Sequence, residues 1–420
     1  MIRKILTYAS GEVLVKGIAF LAIPLYSHLI QPGEYGVLGF LKSITSFLPF
    51  ILTFYYLYAY VRLSVEVDDE KLISTYFFLG LFLNIFYLLS ALGLYFFIIQ
   101  SFEINVYYFI LSIMASASIY MFQVLQMYYR SKGMASSYLK FSVVYSFLGL
   151  GLNFAALVYF QDNVFAMLFS SFLVSLFLSI IAYQKLKHHV NWELFDFLLV
   201  KKILAYSIPL VPGAIALLLF SQSDKIILIN YVSTAELGIY TMAFTIGLSM
   251  SYIGSAFFMS YQPLFYEKLS AGLTEEIENQ FWKNILFLLS ALVLDFMIIL
   301  IVYQFVNPKY EDGMPLAFVI AIAYTFISFA QMMELHLTHI KKTFLVSFVY
   351  GIGGMLTLVC LWLFIPMFGT DGAAYALLIS AIIISILMYY IAQRNLYLSY
   401  NRLYVLGFYA FGLGLVWLIL

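Results

Sequence analysis

Charged residues are scarce in this chain. Lys and Arg number 21, Asp and Glu 21, together 10% of 420 residues, whereas a soluble domain carries about 25%. With 64% of the residues apolar, a water-soluble fold would expose large apolar patches and aggregate. The formal net charge is zero, so the basic face needed for nucleic-acid binding is missing and no nucleic-acid partner is expected. Cysteine is almost absent. Cys360 stands alone in an apolar run, which excludes an intrachain disulfide and a cysteine-based metal site. There is no P-loop, HExxH or GxSxG elbow, so ATP hydrolysis, an enzymatic role and a cofactor are not expected.

Long apolar runs are what the sequence does have. A hydrocarbon core of about 30 Å needs roughly 20 apolar residues per helix. Such runs fall at 7–30, 36–61, 72–98, 107–129, 138–160 and 164–184, and again at 203–230, 237–265, 283–305, 314–338, 343–365 and 372–391. Their length and lack of alternation exclude a membrane barrel. The expectation is an all-α membrane protein of about 12 transmembrane helices in two six-helix bundles around a central cavity. A further stretch, 403–420, reads as a short thirteenth span, an interfacial helix or the start of a helical pair. The N-terminus, Met1-Ile-Arg-Lys, turns apolar with Glu12 and Lys16 inside the run and no small-residue cleavage site. It reads as a first span and not as a removable signal peptide.

Charge then sets the orientation. With the N-terminus in the cytoplasm, seventeen of the 21 basic residues fall in inside segments, among them Arg62, Arg130, Lys185, Lys202 and Lys342. Outside loops hold only Lys309, while Lys16, Lys42 and Lys225 lie within helices. This is the positive-inside pattern. The outside loops (31–35, 99–106, 161–163, 231–236, 306–313 and 366–371) are too short to fold independently. The expected division is a bundle at 1–184, a cytoplasmic linker at 185–202, a second bundle at 203–392 and a tail at 393–420. Within the linker, Trp192-Glu-Leu-Phe-Asp-Phe-Leu-Leu between lysines reads as an amphipathic helix on the inner membrane surface. The two halves share a junction: Gln31-Pro-Gly-Glu34-Tyr-Gly36 against Thr234-Ala-Glu236-Leu-Gly238, with Glu and Gly both offset by 202. Both halves start inside, so the repeat is parallel.

These residues carry a resemblance. Lys16-Gly-Ile-Ala-Phe-Leu-Ala-Ile-Pro24-Leu-Tyr-Ser-His28-Leu-Ile-Gln-Pro32-Gly-Glu34-Tyr35-Gly36 resembles the polysaccharide-exporter (Wzx-type O-antigen flippase) branch of the multidrug/oligosaccharidyl-lipid/polysaccharide (MOP) superfamily. Tyr206-Ser-Ile-Pro209-Leu-Val-Pro212, Ser221-Gln-Ser-Asp224-Lys225, Glu236-Leu-Gly238-Ile-Tyr240 and Phe368-Gly-Thr-Asp-Gly372 agree in the same order. The resemblance implies a flippase in the bacterial inner (plasma) membrane. It implies transfer of undecaprenyl-pyrophosphate-linked glycan from the inner to the outer leaflet by alternating access. It makes that lipid-linked glycan, membrane lipids and a polysaccharide polymerase the candidate partners. His28 departs from the pattern, standing where relatives often have Arg, and some relatives have fourteen helices. A multidrug exporter of the same superfamily, or a membrane polymerase or acyltransferase, are the alternatives. The three basic residues inside helices favour anionic cargo over organic cations, and the short outer loops disfavour a polymerase.

The head of such a substrate needs a wet, partly cationic route through the bilayer. A charge at a helix centre costs roughly 2.5–3.5 kcal/mol on the translocon scale, so intramembrane ionic residues are the candidates. Lys16, Lys42 and Lys225 are read as pathway cations, set against structural pairing, for instance of Lys16 with Glu12 at i, i+4. Asp224 adjoins Lys225, and neighbours at i, i+1 point different ways. Pairing of Asp224 with Lys42 in one state is one reading, and a fixed ion pair the other. Gln123 and Gln126, with Tyr120, Met127 and Arg130, recur at helical spacing and suit sugar hydroxyls or helix packing equally. Glu12, Asp295 and Glu334 are the ion-coupling candidates, with an interhelical hydrogen bond as the plainer role for the last two. Glu334, His336 and His339 lack further ligands and read as a surface cluster, not a metal site. The tyrosines of 54–60 read mainly as background in an aromatic-rich chain. Lys42→Ala and Lys225→Ala are each expected to lower surface polysaccharide without lowering protein level, measured by polymer staining and immunoblot; unchanged polymer in both removes them from the pathway.

Overall fold

The computed structural model of the chain describes residues 17–18, 20–97, 99–102 and 104–419. Glu12 and Lys16, with residues 7–16 and 19 of the first apolar run, lie outside them. Among the described residues the secondary structure is helical throughout, and eleven helical segments are long and apolar enough to cross a bilayer. Helices satisfy their own backbone, which lipid cannot do. In chain order they are α1 (Ile23–Leu29), α2 (Pro32–Leu52), α3 (Asp69–Phe97), α4 (Val106–Ser118), α5 (Tyr120–Ser131), α6 (Ala135–Tyr159), α7 (Asn163–Leu186), α8 (Phe197–Ser207), α9 (Val211–Leu228), α10 (Thr234–Gly247), α11 (Ser249–Ser270), α12 (Thr274–Phe305), α13 (Met314–His339), α14 (Thr343–Asn395) and α15 (Arg402–Ile419). The expected loop 366–371 is replaced by a sharp redirection inside α14, where Gly369 takes φ 57° and ψ −127°. Only glycine adopts that backbone without strain. Within the stretch 403–420, residues 403–419 are helical as part of α15, which is long enough to span.

The chain divides into two compact units, and the division differs from the expected one. One unit comprises residues up to Ala22 and Val37–Ile215; the other comprises Ile23–Gly36 and Ala216–Leu420. The boundary thus falls after 185–202, and α1 with the start of α2 belongs to the second unit.

In the first unit, Tyr56, Tyr60 and Tyr76 pack with Leu72, Phe122 and Leu178 in one core. The tyrosine cluster is therefore split: Tyr56 and Tyr60 are buried, whereas Tyr58 is exposed and stacks on Tyr55. The segment 187–196 is not a surface helix. It forms two short 3-10 turns, Lys187–His189 and Trp192–Leu194, pinned to the start of α3. The Ser74 hydroxyl donates to the His189 carbonyl at 2.8 Å and accepts from the Asn191 N–H at 2.9 Å. Asp196 caps α8 through the Leu198 N–H and pairs with Lys71 at 2.6 Å. The Lys71 contact, then the Leu198 N–H, hold the Asp196 carboxyl below its ordinary range. Its part in docking the segment is thus present above the ordinary carboxylate pKa and lost as pH falls through the depressed value. The apolar side of the segment is used by aromatic packing: Trp192 stacks on Phe195 and meets Phe78 edge-on. Tethers at 74, 71 and 78 outweigh an amphipathic pattern only eight residues long.

In the second unit α13 is the central helix, buried along almost its whole length from Leu316 to Leu337. Alanines and serines there, with Gly247 and Gly254 opposite, let neighbouring helices approach closely, the packing that replaces hydrophobic drive inside a membrane. α15 packs on α13 through Phe408, stacked on Phe329, and Tyr409, stacked on Phe326.

The repeated junction has a structural explanation. Glu34 accepts the Gln31 N–H at 2.8 Å, and Glu236 accepts the Ser233 N–H at 2.8 Å within a capping box. The two glutamates cap α2 and α10 alike. The two glycines then lie against each other's helix start: a Cβ on Gly36 would collide with the Thr234 carbonyl, and one on Gly238 with the Pro32 carbonyl. Gly238→Ala should therefore lower stability by about 1–3 kcal/mol, while Gly149→Ala, where open space surrounds the added methyl, should not. Thermal unfolding in detergent checks this; equal melting of the two variants would refute the crossing.

Candidate functional site

The sequence-expected residues fall into three electrostatic situations. The first is a closed ion pair on α9. Asp224 and Lys225 are each 4% exposed, and the Lys225 Nζ donates to both carboxylate oxygens of Asp224 at 3.2 Å. The expectation that these neighbours point apart is corrected. Their Cβ atoms do diverge, but the four-carbon lysine stem folds back to the carboxylate, because an unpaired buried charge is far costlier than a bent side chain. Tyr240 of α10 donates its hydroxyl to Asp224 at 2.6 Å. The Lys225 ammonium also lies 3.5 Å from the centre of the Phe244 ring, a cation–π contact. Tyr240 and Phe244 complete this cluster and escaped the candidate list, although they stand at i, i+4 on α10, which was the available signal.

The second situation is a lone cation. Lys42 lies halfway along α2, with its side chain exposed. No carboxylate reaches its ammonium among the described residues. Thr45 and Ser46 follow at i+3 and i+4, donating their hydroxyls to the carbonyls of Leu41 and Lys42. Back-bonding leaves their oxygen lone pairs outward on the same face as Lys42. These two were missed; helical spacing from Lys42 would have found them.

The third is the lone carboxyl of Asp295 on α12. It is fully buried, and neither oxygen has a hydrogen-bond partner among the described residues.

The other candidates have ordinary partners or none. Glu334 accepts the Tyr350 hydroxyl at 3.0 Å between α13 and α14, the interhelical bond that was its plainer reading. His336 is not at the surface. It is 1% exposed, with Nδ1 at the Met333 carbonyl and Nε2 at the Tyr400 hydroxyl, 2.9 Å away. Apolar packing by α15 and the preceding turn covers a position the lysines at 341 and 342 had suggested was open. Gln126 donates to Ser142 at 3.2 Å, tying α5 to α6, while Gln123 is half-buried.

The pairing on α9 changes the expectation for Lys225. Lys225→Met should cost about 3–5 kcal/mol by stranding a buried carboxylate, and adding Asp224→Asn should restore most of it. Thermal melts of the single and double variants decide this; a double variant as unstable as the single one would show that the pair is not the cause.

A family model described as polysaccharide biosynthesis protein matches residues 1–269. No curated protein sequence matches the chain. Among solved structures, the inward-facing conformation of a multidrug resistance MATE family transporter of the MOP superfamily aligns at TM-score 0.68 and 14% identity, covering 90% of this chain and 94% of that one. The outward-facing conformation of a multidrug resistance MATE family transporter aligns at 0.58 and 13%, covering 93% and 94%. The MATE multidrug transporter DinF-BH aligns at 0.67 and 11%, covering 94% and 95%. At these identities the likeness is one of fold. The family match over residues 1–269, more than half of the chain, establishes that the chain belongs to the polysaccharide biosynthesis protein family, and its fold is like that of the MATE transporters.

Proposed function

We propose that this protein is a flippase. It carries undecaprenyl-pyrophosphate-linked oligosaccharide, the unit of an O-antigen, capsule or related polysaccharide, from the inner to the outer leaflet by alternating access. The observation that carries the reading is Lys42: a lysine midway along an apolar helix, exposed and without a carboxylate partner among the described residues. An ammonium in that position is not stable against lipid tails. It needs water or an anion, and a pyrophosphate head supplies the anion. Thr45 and Ser46 on the same face suit the sugar that follows.

The family match supports a role in polysaccharide assembly. The multidrug reading is weaker, because an exporter of organic cations needs acidic groups facing its cargo. Here Asp224 is committed to Lys225 and Tyr240, and Asp295 is shut in. The basic-residue pattern supports a bacterial inner-membrane location with a cytoplasmic N-terminus, and a polymerase that consumes the flipped unit outside would be the natural partner.

Lys42→Ala should reduce surface polysaccharide about tenfold or more, the loss expected for one charge-assisted phosphate contact. Lipid-linked intermediates should accumulate on the inner leaflet, protein level should be unchanged, and Lys42→Arg should restore export. Extraction of lipid-linked glycan and polymer immunoblots measure this. Wild-type polymer in Lys42→Ala would refute the reading.

A further inference from the structure

Phe54 and Tyr55 are held in a backbone conformation that their side chains resist. Their φ angles are 54° and 52°, in the left-handed region where a Cβ crowds the following carbonyl. At other left-handed positions among the described residues the chain places Gly133, Gly272 and Gly369. Two consecutive aromatic residues there are outliers. Such strain persists only where the surrounding structure imposes it, and it gathers at ligand sites.

The left-handed pair follows α2 and opens a tight turn, Tyr56–Ala59, which sorts the tyrosines into two sets. Tyr56 and Tyr60 go into the core, the first stacked on Tyr76 at 5.8 Å and the second edge-on to it at 4.8 Å. The Tyr76 hydroxyl donates to the Tyr56 carbonyl at 3.2 Å. These contacts fix the turn from beneath. Tyr55 and Tyr58 are left in the open. Their rings stack at 5.0 Å with 28° between the planes, and Phe50 of α2 backs Tyr55 at 4.9 Å. Tyr58 is 53% exposed. Neither phenol has a hydrogen-bond partner among the described residues.

The last turn of α5 adjoins the pair. Leu125 and Tyr129 of α5 share the core of Tyr56 and Tyr60, while Arg130 is exposed. Arg130 lies near enough to Tyr55 for its charge to act on the phenol. In the same unit Arg62 is paired with Glu66, Lys71 with Asp196 and Lys132 with Asp69. No carboxylate reaches Arg130 among the described residues.

Three occupants can be weighed against this arrangement. Lipid at an interface is met by tyrosines acting singly, which requires neither a stacked pair nor a strained backbone. An organic cation suits aromatic faces but is repelled by the guanidinium beside them. A pyranose suits every part. Its apolar C–H face lies flat on an aromatic ring, and its hydroxyls can accept from the phenols and from the five donors of a guanidinium.

We propose that Tyr55 and Tyr58 form a stacking platform for one sugar ring of the cargo, with Arg130 donating to the hydroxyls at the ring's edge. This rests on the polysaccharide reading and deepens it by giving the glycan a subsite of its own. Lys42, the proposed anion contact, stands about three turns before the end of α2. On the proposed orientation the platform is at the cytoplasmic end of its apolar run, where a unit assembled on the inner leaflet is met first.

The test uses full-length protein in phosphatidylcholine nanodiscs, with methyl β-glucoside, N-acetylglucosamine and glucuronate as probes in saturation-transfer NMR. Wild type should saturate the C–H protons of one ring face. Tyr58→Ala should weaken binding about fivefold and melt like wild type, since the side chain is exposed, and Tyr58→Phe should bind within about twofold of wild type. Arg130→Ala should weaken binding while leaving the saturated face unchanged. Tyr55→Gly, which relieves the left-handed strain, should melt no lower than wild type and still lose the probe. Absence of saturation with all three probes in wild type overturns the proposal, as does undiminished saturation in Tyr58→Ala. A Tyr55→Gly protein that melts well below wild type would show that the strained pair serves folding, and would also overturn it. The probes are free sugars, so this proposal can fail while export stands; surface polysaccharide unchanged on deletion of the protein would sink the flippase reading by itself.

Discussion

Charge at bilayer depth constrains everything else in this molecule. Lipid offers no solvation, so an ionic side chain there must be paired, neutralised by a proton, or kept wet. Asp224 and Lys225 neutralise each other on α9, with Tyr240 filling the remaining carboxylate position and Phe244 under the ammonium. The Asp295 carboxyl is fully buried with no hydrogen-bond partner among the described residues, and Lys42 has an exposed side chain with no carboxylate in reach among them. The ionic side chains are thus held in three different ways.

This sorting changes what the buried pair means. A fixed pair between adjacent residues contributes no net charge to a pathway and resists separation, since either partner alone would be stranded. It can therefore organise α9 and α10 without taking part in recognition. The bend of the lysine stem back to position 224 also explains why Asp and Lys stand together: neither needs a counter-charge from another helix, and α10 adds only a hydroxyl and an aromatic face.

Much of the fold was legible in the sequence because the relevant physics is local. Apolar run lengths gave the helices, and the glutamate–glycine repeat gave a junction whose two copies turn out to cap and cross one another. Readings failed where long-range contacts decide. The segment 187–196 has an amphipathic pattern, yet Ser74, Lys71 and Phe78, more than a hundred residues earlier, draw it into turns. The unit boundary at 215/216 is likewise set by packing and not by a change in composition. Of the candidate site, the residue types were legible and their states were not. Direction of a Cβ says little about a lysine whose ammonium is several bonds further on, and no pattern in sequence distinguishes a shut carboxyl from a wetted one.

The repeated junction shows what such a glycine pair does within one unit. α2 starts at the crossing with α10, where Gly36 and Gly238 allow no intervening side chain. Close backbone contact transmits displacement where flexible side chains would absorb it, because packed main chains have no rotamers to yield. On this argument the glycines of the repeat serve stiffness as much as space, and the glutamates beside them, by capping both helices, fix the two starts that the glycines bring together.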